Sequence, residues 1–302
     1  MNAPAARAAA LQRLRHELRD LLEVVLLPGL AAVLPWRIAF RLFRRIAAAG
    51  WLYREATERA YAQAARLGWV ADPAEWRRRR RLTTLVDHAD HYLSRTRSDA
   101  WIAKHMEAQG EWPDPAQPAL GLTFHWGAGM WGLRHAAARG LKAHMLVAAV
   151  QGAHFRGRSI LHRYILARTE SIALALRRPY IDVSTDMRLV LRALRANEQV
   201  FAVIDVPADQ VSTSQSVQVI GLPARLPTAL LRLAVERGIP VFIYVTGFHV
   251  EDGRRFLRIL QLGVPESLDA LLRSVEQELD RTIQQDAPAW HFWGEAERFF
   301  RG

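Results

Sequence analysis

Residues 122–134 read Leu122-Thr123-Phe124-His125-Trp126-Gly127-Ala128-Gly129-Met130-Trp131-Gly132-Leu133-Arg134. This order of an apolar strand, a glycine-rich turn and a helix predicts one unit of an α/β protein. The three glycines also spell G-x-G-x-x-G, which is typical of dinucleotide sites when an acidic residue follows roughly 20 positions later. No Asp or Glu occurs from Pro115 to Thr169. The sequence therefore argues against a dinucleotide site at this turn.

The C-terminal part of the chain alternates between short apolar runs and helical patterns. Strands are predicted at Ala119–Trp126, Ala143–Gln151, Gln199–Val206, Ser216–Ile220, Pro240–Phe248 and Arg255–Leu262. Helices are predicted at Trp131–Arg139, Arg158–Thr169, Thr185–Ala196, Pro227–Arg237 and Ser267–Gln285. Strands that alternate with helices indicate an α/β fold, a sheet with helices on its faces.

The N-terminal part has a different pattern, with helical periodicity and no alternation of period two up to residue 110. A proline-rich linker, Glu111–Pro118, follows it. We therefore predict a helical region over residues 1–112 and an α/β domain over residues 119–302. The run Arg77–Arg81 has three interpretations: a solvated helix face, which we favour, a nucleic-acid patch, or a contact with anionic headgroups.

The first helices are amphipathic. Apolar residues recur at helical spacing with arginines between them, at Leu11, Leu14, Leu18, Leu21, Leu22 and Val25. The early charge-free run Val24–Trp36 has 13 residues, whereas a helix that spans a bilayer needs roughly 20. The next segment, Trp36–Arg45, mixes aromatics with arginines as interfacial helices do, although a helix that covers the core fits too. The pattern favours a helical arm that lies on a membrane surface.

Composition limits the possible functions. The chain has 302 residues, of which 50% are hydrophobic and 24% charged, so a disordered protein is excluded. With no cysteine, a disulfide framework, a cysteine nucleophile and a thiolate metal site are excluded as well. The formal net charge of +11 predicts an anionic partner: nucleic acid, anionic lipid or a phosphate-bearing substrate. Arginine supplies nearly all of the positive charge, which a GC-rich genome would also explain.

Cations surround the glycine turn. Residues 115–169 contain seven of them and no acid: Arg134, Arg139, Lys142, Arg156, Arg158, Arg163 and Arg168. Together with backbone N–H groups at a helix start, they indicate a site for negatively charged groups, although drift in composition would give the same run. His125 follows a strand, at the edge where open α/β sheets bind ligands. A histidine here is a candidate general base, with a structural role as the alternative.

Five blocks of this sequence, in order, resemble the bacterial lipid A late acyltransferases and their phosphatidylinositol mannoside acyltransferase relatives. The glycine-turn segment is similar to their His-x4-Asp/Glu block, and the other four similarities are spread over about 260 residues. They are the Leu-Pro-rich helix at Val33–Ile46, the strand and acid at Gln199–Pro207, the stretch Val217–Phe242, and Pro288–Trp293 near the end.

The resemblance implies a lysophospholipid-acyltransferase-like fold with a mixed sheet, and transfer of a fatty acyl chain to a hydroxyl of a lipid acceptor. The donor would be a thioester of acyl carrier protein or coenzyme A, and the place the cytoplasmic face of the inner membrane. His125 would be the general base. The resemblance implies that no metal and no cofactor are needed. Nucleic acid is not expected as a partner, because only the positive charge of the chain favours it.

Met130 stands where the family has its Asp or Glu. A thioether cannot stabilise an imidazolium as a carboxylate does. Three outcomes stay open: another acid serves, His125 works without one, or the site binds acyl or lipid ligands without chemistry. Asp205 is our first choice of acid because it ends a neighbouring apolar strand; the other candidates are Glu170, Asp182 and Asp209.

Substrate contacts are predicted on both sides of His125. Trp126 is a candidate wall of an acyl groove, although aromatic residues at such spacing more often belong to the core. The loop of Gly127 and Gly129 is a candidate source of N–H donors for an oxyanion. Four arginines are candidates for holding a phosphate: Arg158, Arg163, Arg177 and Arg178.

Overall fold

The computed structural model describes residues 3–148, 152–182 and 187–300. Its nine described strands are β1 (Met106–Gln109), β2 (Ala119–Thr123), β3 (Ala143–Val147), β4 (Ile181–Asp182), β5 (Gln199–Val203), β6 (Ser214–Val219), β7 (Leu222–Pro227), β8 (Val241–Phe248) and β9 (Arg255–Gly263). Seven form one sheet in the order β1-β9-β8-β2-β5-β3-β4. The sheet is mixed, because β9 runs antiparallel to β8 while the other neighbours are parallel. Strands β6 and β7 form a separate hairpin.

Helices precede the sheet and cover both of its faces. The described helices are α1 (Ala3–Asp20), α2 (Leu27–Val33), α3 (Trp36–Ile46), α4 (Arg54–Arg66), α5 (Pro73–Thr96), α6 (Asp99–Lys104), α7 (Met130–Ala138), α8 (Ser159–Leu176), α9 (Met187–Arg195), α10 (Ala229–Arg237), α11 (Leu268–Gln285) and α12 (Ala296–Phe299). A π-helical turn, Leu21–Leu26, joins α1 to α2. The predicted α/β class with a mixed sheet and flanking helices is thus confirmed.

Three strands escape the sequence patterns. β1 lies inside the region predicted to be helical, so that prediction is wrong at Met106–Gln109. Only the first of its four residues is buried, because β1 is an edge strand that pairs with β9 alone. β4 has two residues, and β7 alternates too weakly to be recognised. The predicted strand at Ala143–Gln151 ends at Val147, and its last residues, 149–151, lie outside the described part of the chain.

The two faces of the sheet pack against different helices. On β5, Val200 and Ala202 enter one hydrophobic cluster with α9, α10 and α11, while Phe201 enters the other with α3, α5 and α7. This period of two is the geometry of a strand buried on both faces. A Cβ on Gly121 of β2 would lie 2.5 Å from the ring of Phe242. Glycine at this position therefore makes room for the aromatic face of the sheet.

The arginine run of α5 is bonded inside the protein. Arg80 and Arg81 are buried, and their guanidinium groups donate to backbone carbonyls. The others pair with acids: Arg77 with Glu58, Arg78 with Glu75, and Arg79 with Asp286. The favoured interpretation as a solvated face is therefore wrong, because these groups tie α5 to α3, α4 and the C-terminal segment.

Helix α1 exposes a stripe of leucines. More than half of the surface of Leu11, Leu14 and Leu18 is exposed, at 58%, 55% and 56%. Ile38 of α3 is similarly exposed, whereas its Phe40 and Phe43 are buried in the core. α3 therefore covers the core with one face and presents arginines on the other. None of the helices in the described ranges is long and apolar enough to cross a membrane.

Candidate active site

A histidine and a buried carboxylate meet at one edge of the sheet. His125 lies two residues beyond the end of β2, and Asp205 two residues beyond the end of β5. Because β2 and β5 are parallel neighbours, both residues lie at the same edge, the C-terminal edge, where β2, β3, β5 and β8 end. His125 Nδ1 is 3.0 Å from Asp205 Oδ1. A carboxylate only accepts, so Nδ1 carries the proton, and Nε2 is left as the basic nitrogen.

The side chains of His125 and Asp205 differ in their exposure to solvent. The imidazole is 34% exposed, whereas the carboxylate is completely buried. Among the described residues, no protein group forms a hydrogen bond with Nε2, so a substrate hydroxyl can approach it. The ring of Phe292 lies beside the imidazole, with 4.3 Å between the ring centroids. The arrangement is an imidazole held by a buried acid and open to solvent, which is the geometry that a general base requires.

Asp205 is fixed from two directions. Its carboxylate accepts the backbone N–H of His125, at 2.9 Å for Oδ1 and 3.0 Å for Oδ2. Its Oδ2 also accepts the indole N–H of Trp290, at 2.8 Å. These N–H donors satisfy both oxygens of the buried carboxylate and hold it in one orientation. Trp290 therefore positions Asp205, and Asp205 positions His125.

Arg80 holds the C-terminal segment against this pair. Its guanidinium donates to the carbonyls of Pro288 (3.2 Å), Trp290 (2.8 Å) and His291 (3.1 Å). Burial lowers the pKa of Arg80 to about 10, so the group stays charged at neutral pH. No local pattern links Arg80 or Trp290 to His125, because the residues they contact are remote in the chain. The motif at Pro288–Trp293 was the one available signal.

His291 joins the same segment to the glycine turn. Its backbone N–H donates to the carbonyl of His125 at 2.7 Å, and its Nε2 lies 2.8 Å from the carbonyl oxygen of Gly127. Since a carbonyl only accepts, Nε2 carries a proton and donates it. Burial, followed by the charge of Arg80, lowers the pKa of His291 from 6.5 to about 4.

We expect acid to destabilise the fold through His291. As pH falls from about 6.5 to about 4, the unfolded chain gains a proton that the folded protein rejects, so stability falls by about 1–3 kcal/mol. The variant His291→Gln, whose amide can still donate to Gly127, should lose less stability between pH 7 and pH 4.5. Urea unfolding at both pH values measures this, and parallel losses in both proteins would contradict it.

The N–H groups of the glycine turn are only partly free. Gly127 donates its N–H to the Ala289 carbonyl at 3.0 Å, and Ala128 donates to the Thr246 carbonyl at 3.1 Å. The expectation that this loop as a whole supplies oxyanion donors is therefore wrong at its first two residues. Gly127 has a φ of +68°, and a Cβ there would lie 2.3 Å from the Thr246 oxygen. Only glycine fits at position 127, because the backbone there lies against the backbone of Thr246. Gly129, in contrast, is exposed.

Met130 does not face the site. It is the first residue of α7, is 4% exposed, and packs in the hydrophobic cluster with Trp131 and Leu133. The position that carries an acid in the His-x4-Asp/Glu pattern therefore belongs to the core in this chain. Asp205 occupies the place beside the imidazole instead.

We expect that an acid placed at position 130, as in the His-x4-Asp/Glu pattern, will destabilise the fold. The variant Met130→Glu would bury an unpaired carboxyl group and lower the free energy of unfolding by roughly 2–4 kcal/mol. Met130→Leu, which conserves volume, should cost less than about 1.5 kcal/mol. Denaturant unfolding measures both variants. A Met130→Glu protein that is as stable as the leucine variant would contradict the placement.

Trp126 is part of the core rather than a groove wall. It is buried, its indole N–H donates to the carbonyl of Asp286 at 3.0 Å, and its backbone forms a bridge with Trp290. The prediction that it lines an acyl groove is therefore wrong, because its side chain fixes the C-terminal segment. The aromatic ring that does lie beside His125 is Phe292.

The four arginines predicted to hold phosphate are dispersed. Arg177 pairs with Asp99, and Arg178 lies 3.4 Å from Glu198. Both precede β4, and Glu198 precedes β5, so this cluster lies at the edge where the parallel strands begin. These two arginines cannot share a site with His125, because helix α8 carries them to the opposite edge of the sheet.

Arg158 and Arg163 lie at the correct edge, since α8 begins after β3 has ended. Arg158 is bonded to the buried carboxylate of Asp20, with Nε at 2.9 Å from Oδ2, so it ties α8 to α1. Arg163 is exposed on α8. Neither forms a contact with His125 in the described structure.

The other acids have different surroundings. Asp209 pairs with Arg298 at 3.0 Å on the surface, and Glu170 is exposed on α8. On α5, Asp87 pairs with Arg168 and Asp90 with Arg255. Within the described residues, no group of three acid or histidine side chains is arranged to hold a metal ion. No family model and no curated protein matches this sequence.

Proposed function

We propose that this protein is an O-acyltransferase of the lysophospholipid-acyltransferase type, which moves an acyl group from a thioester to a hydroxyl of a lipid acceptor. One observation carries the proposal: an exposed imidazole whose Nδ1 is bonded to a buried carboxylate at the C-terminal edge of a mainly parallel sheet. Open α/β sheets bind their ligands at this edge. A carboxylate beside Nδ1 is the partner that a histidine base needs when it takes a proton.

His125 Nε2 takes the proton of the acceptor hydroxyl while the oxygen attacks the thioester carbonyl. A bond forms between that oxygen and the acyl carbon, and the carbonyl oxygen becomes an oxyanion. When the oxyanion collapses, the bond from the acyl carbon to sulfur breaks and the imidazolium returns its proton to the thiolate. The products are an ester and a free thiol. Asp205 stabilises the imidazolium in both steps, and no redox partner is required.

Donors for the oxyanion must come from N–H groups that the fold leaves free. The N–H groups of Gly127 and Ala128 are bonded, but no acceptor is recorded for those of Gly129 and Met130 among the described residues. They begin α7, where the helix dipole also favours negative charge. We assign the oxyanion to these two groups.

A lipid acceptor would require the protein to act at a membrane surface, and the exposed leucine stripe of α1 supports this part of the proposal. Leu11, Leu14 and Leu18 are too exposed to serve the core, and arginines follow them on the same helix. An amphipathic helix of this kind lies at the interface between headgroups and acyl chains. The site would then act from the cytoplasmic face of the inner membrane, with acyl carrier protein or coenzyme A as the carrier.

The proposal is tested by giving purified protein a series of acyl-CoA and acyl carrier protein thioesters with a bacterial lipid extract as the acceptor. We expect release of free thiol and a new acylated lipid in the mass spectrum, both dependent on acceptor. Binding of a thioester or a lipid without release of thiol from any donor would overturn it. That result would identify the chain as a non-catalytic acyl-binding or carrier-binding protein instead.

A further inference from the structure

A basic cavity lies between α1 and the turn that precedes α8. It has a volume of about 270 Å³ and is lined by Gln12, Arg13, His16, Arg156 and Gly157. The lining contains two guanidinium groups, an imidazole and an amide, and no carboxylate. No ion pair is recorded for Arg13 or Arg156 within the described part of the chain. Neither arginine is used by the candidate active site.

The carboxylates near this cavity are already bonded elsewhere. Glu17 accepts the N–H groups of Ser159 (2.5 Å) and Ile160 (2.9 Å) at the start of α8, and these bonds lower its pKa. Asp20 is bonded to Arg158. Glu55, which lies near His16, is bonded to Arg19 at 2.6 Å. The two lining arginines are thus left without an acid to neutralise them.

The same bonds build the walls of the cavity. Glu17 and Asp20 fix one face of α1 to the beginning of α8, so the two sides of the cavity are held together. Gly157 has a φ of +76°, and a Cβ there would lie 3.5 Å from Cγ of Arg13. The aliphatic part of Arg13 therefore passes close to this glycine.

The turn that lines this cavity follows β3 at the C-terminal edge of the sheet, the same edge at which His125 follows β2. The turn at 156–157 follows the end of β3, and in the sheet only β5 separates β3 from β2. Two strand spacings amount to roughly 10 Å at the sheet itself.

We propose that Arg13, His16 and Arg156 bind a phosphate group. Guanidinium groups bind phosphate through paired N–H donors, and the imidazole and the amide of Gln12 add further donors. The phosphate belongs to the thioester donor or to a membrane phospholipid, whose acyl chains would meet the leucine stripe of α1. The inference deepens the proposed function by locating a phosphate-bearing substrate, but binding here does not require that His125 catalyses transfer.

The test is calorimetric titration of the full-length protein with inorganic pyrophosphate. The double variant Arg13→Ala, Arg156→Ala should weaken binding by roughly 100-fold, about tenfold for each guanidinium. The matched control is the double variant Arg232→Ala, Arg237→Ala, which removes the same charge from exposed positions of α10 and should change binding by less than about twofold. Thermal unfolding checks that both variants are folded.

Equal weakening in both double variants would overturn the proposal, because it would show attraction by net charge alone. Unchanged binding in both would overturn it as well. Should the first double variant unfold, His16→Gln and Arg156→Gln replace it as single changes, each with an expected weakening of a few-fold to tenfold.

Two further titrations identify the source of the phosphate. If coenzyme A competes with pyrophosphate while vesicles do not, the group belongs to the donor. If phosphatidylcholine vesicles that contain phosphatidylglycerol compete and pure phosphatidylcholine vesicles do not, it belongs to a lipid. Repeating the titration with the variant His125→Ala separates the two proposals, since a protein unable to transfer acyl groups should still bind phosphate.

Discussion

Replacing His125 with alanine is expected to lower the rate of acyl transfer by roughly 10²–10⁴-fold, the usual contribution of a general base. The loss follows from geometry, because the imidazole is the only group bonded to Asp205 that is also open to a substrate in the described structure. The fold should survive, since the backbone N–H of His125 still donates to Asp205. Release of thiol and formation of ester, measured together, report the change.

The matched control is His105→Ala. His105 is also a partly exposed histidine, but it precedes β1, stacks on Trp101 with 4.1 Å between the centroids, and does not contact the site. Its loss should leave the transfer rate within about twofold of the original. If His125→Ala transfers acyl groups as fast as the His105→Ala control, then the imidazole is not the base and the proposed mechanism is wrong.

The sequence predicted the class of fold and the pairing of His125 with Asp205 for one shared reason. Both residues follow apolar runs that end as strands, and strands of a parallel sheet end at the same edge. What the patterns did not contain is the order of the strands. That β5 lies directly beside β2, with Ile204 donating to the carbonyl of Thr123 at 3.0 Å, depends on packing across the whole domain.

The predictions that failed concern residues whose partners are distant in the sequence, so that the local pattern does not determine their surroundings. Arg80 belongs to a charged run that is typical of a solvated helix, yet it bonds carbonyls more than 200 positions away. Trp126 was a candidate groove wall with the core as the alternative, and its indole N–H donates to the Asp286 carbonyl, 160 positions away. Arg177 follows a helix whose direction carries it to the wrong edge. None of these facts has a signal within a local window of sequence.

Replacing Asp205 with asparagine is the second change for which we expect a large effect, a loss of roughly 10²–10⁴-fold in transfer. The change keeps the size of the side chain but removes the negative charge that stabilises the imidazolium. It also creates a conflict among donors. Asp205 now accepts from the His125 backbone, from Nδ1 and from Trp290. An amide has one oxygen, so its NH₂ group must face at least one of these N–H donors or force the imidazole into the opposite tautomer.

Stability and transfer rate, measured on the same variants, separate a catalytic role of Asp205 from a purely structural one. Asp205→Asn should lower the free energy of unfolding by about 1–3 kcal/mol, because one buried N–H loses its acceptor. Asp205→Ala, which leaves every donor unpaired, should cost more. The control Asp209→Asn breaks only an exposed pair with Arg298 and should cost less than about 1 kcal/mol. If Asp205→Asn loses stability but keeps its full transfer rate, then the carboxylate only supports the fold, and His125 works without an acid.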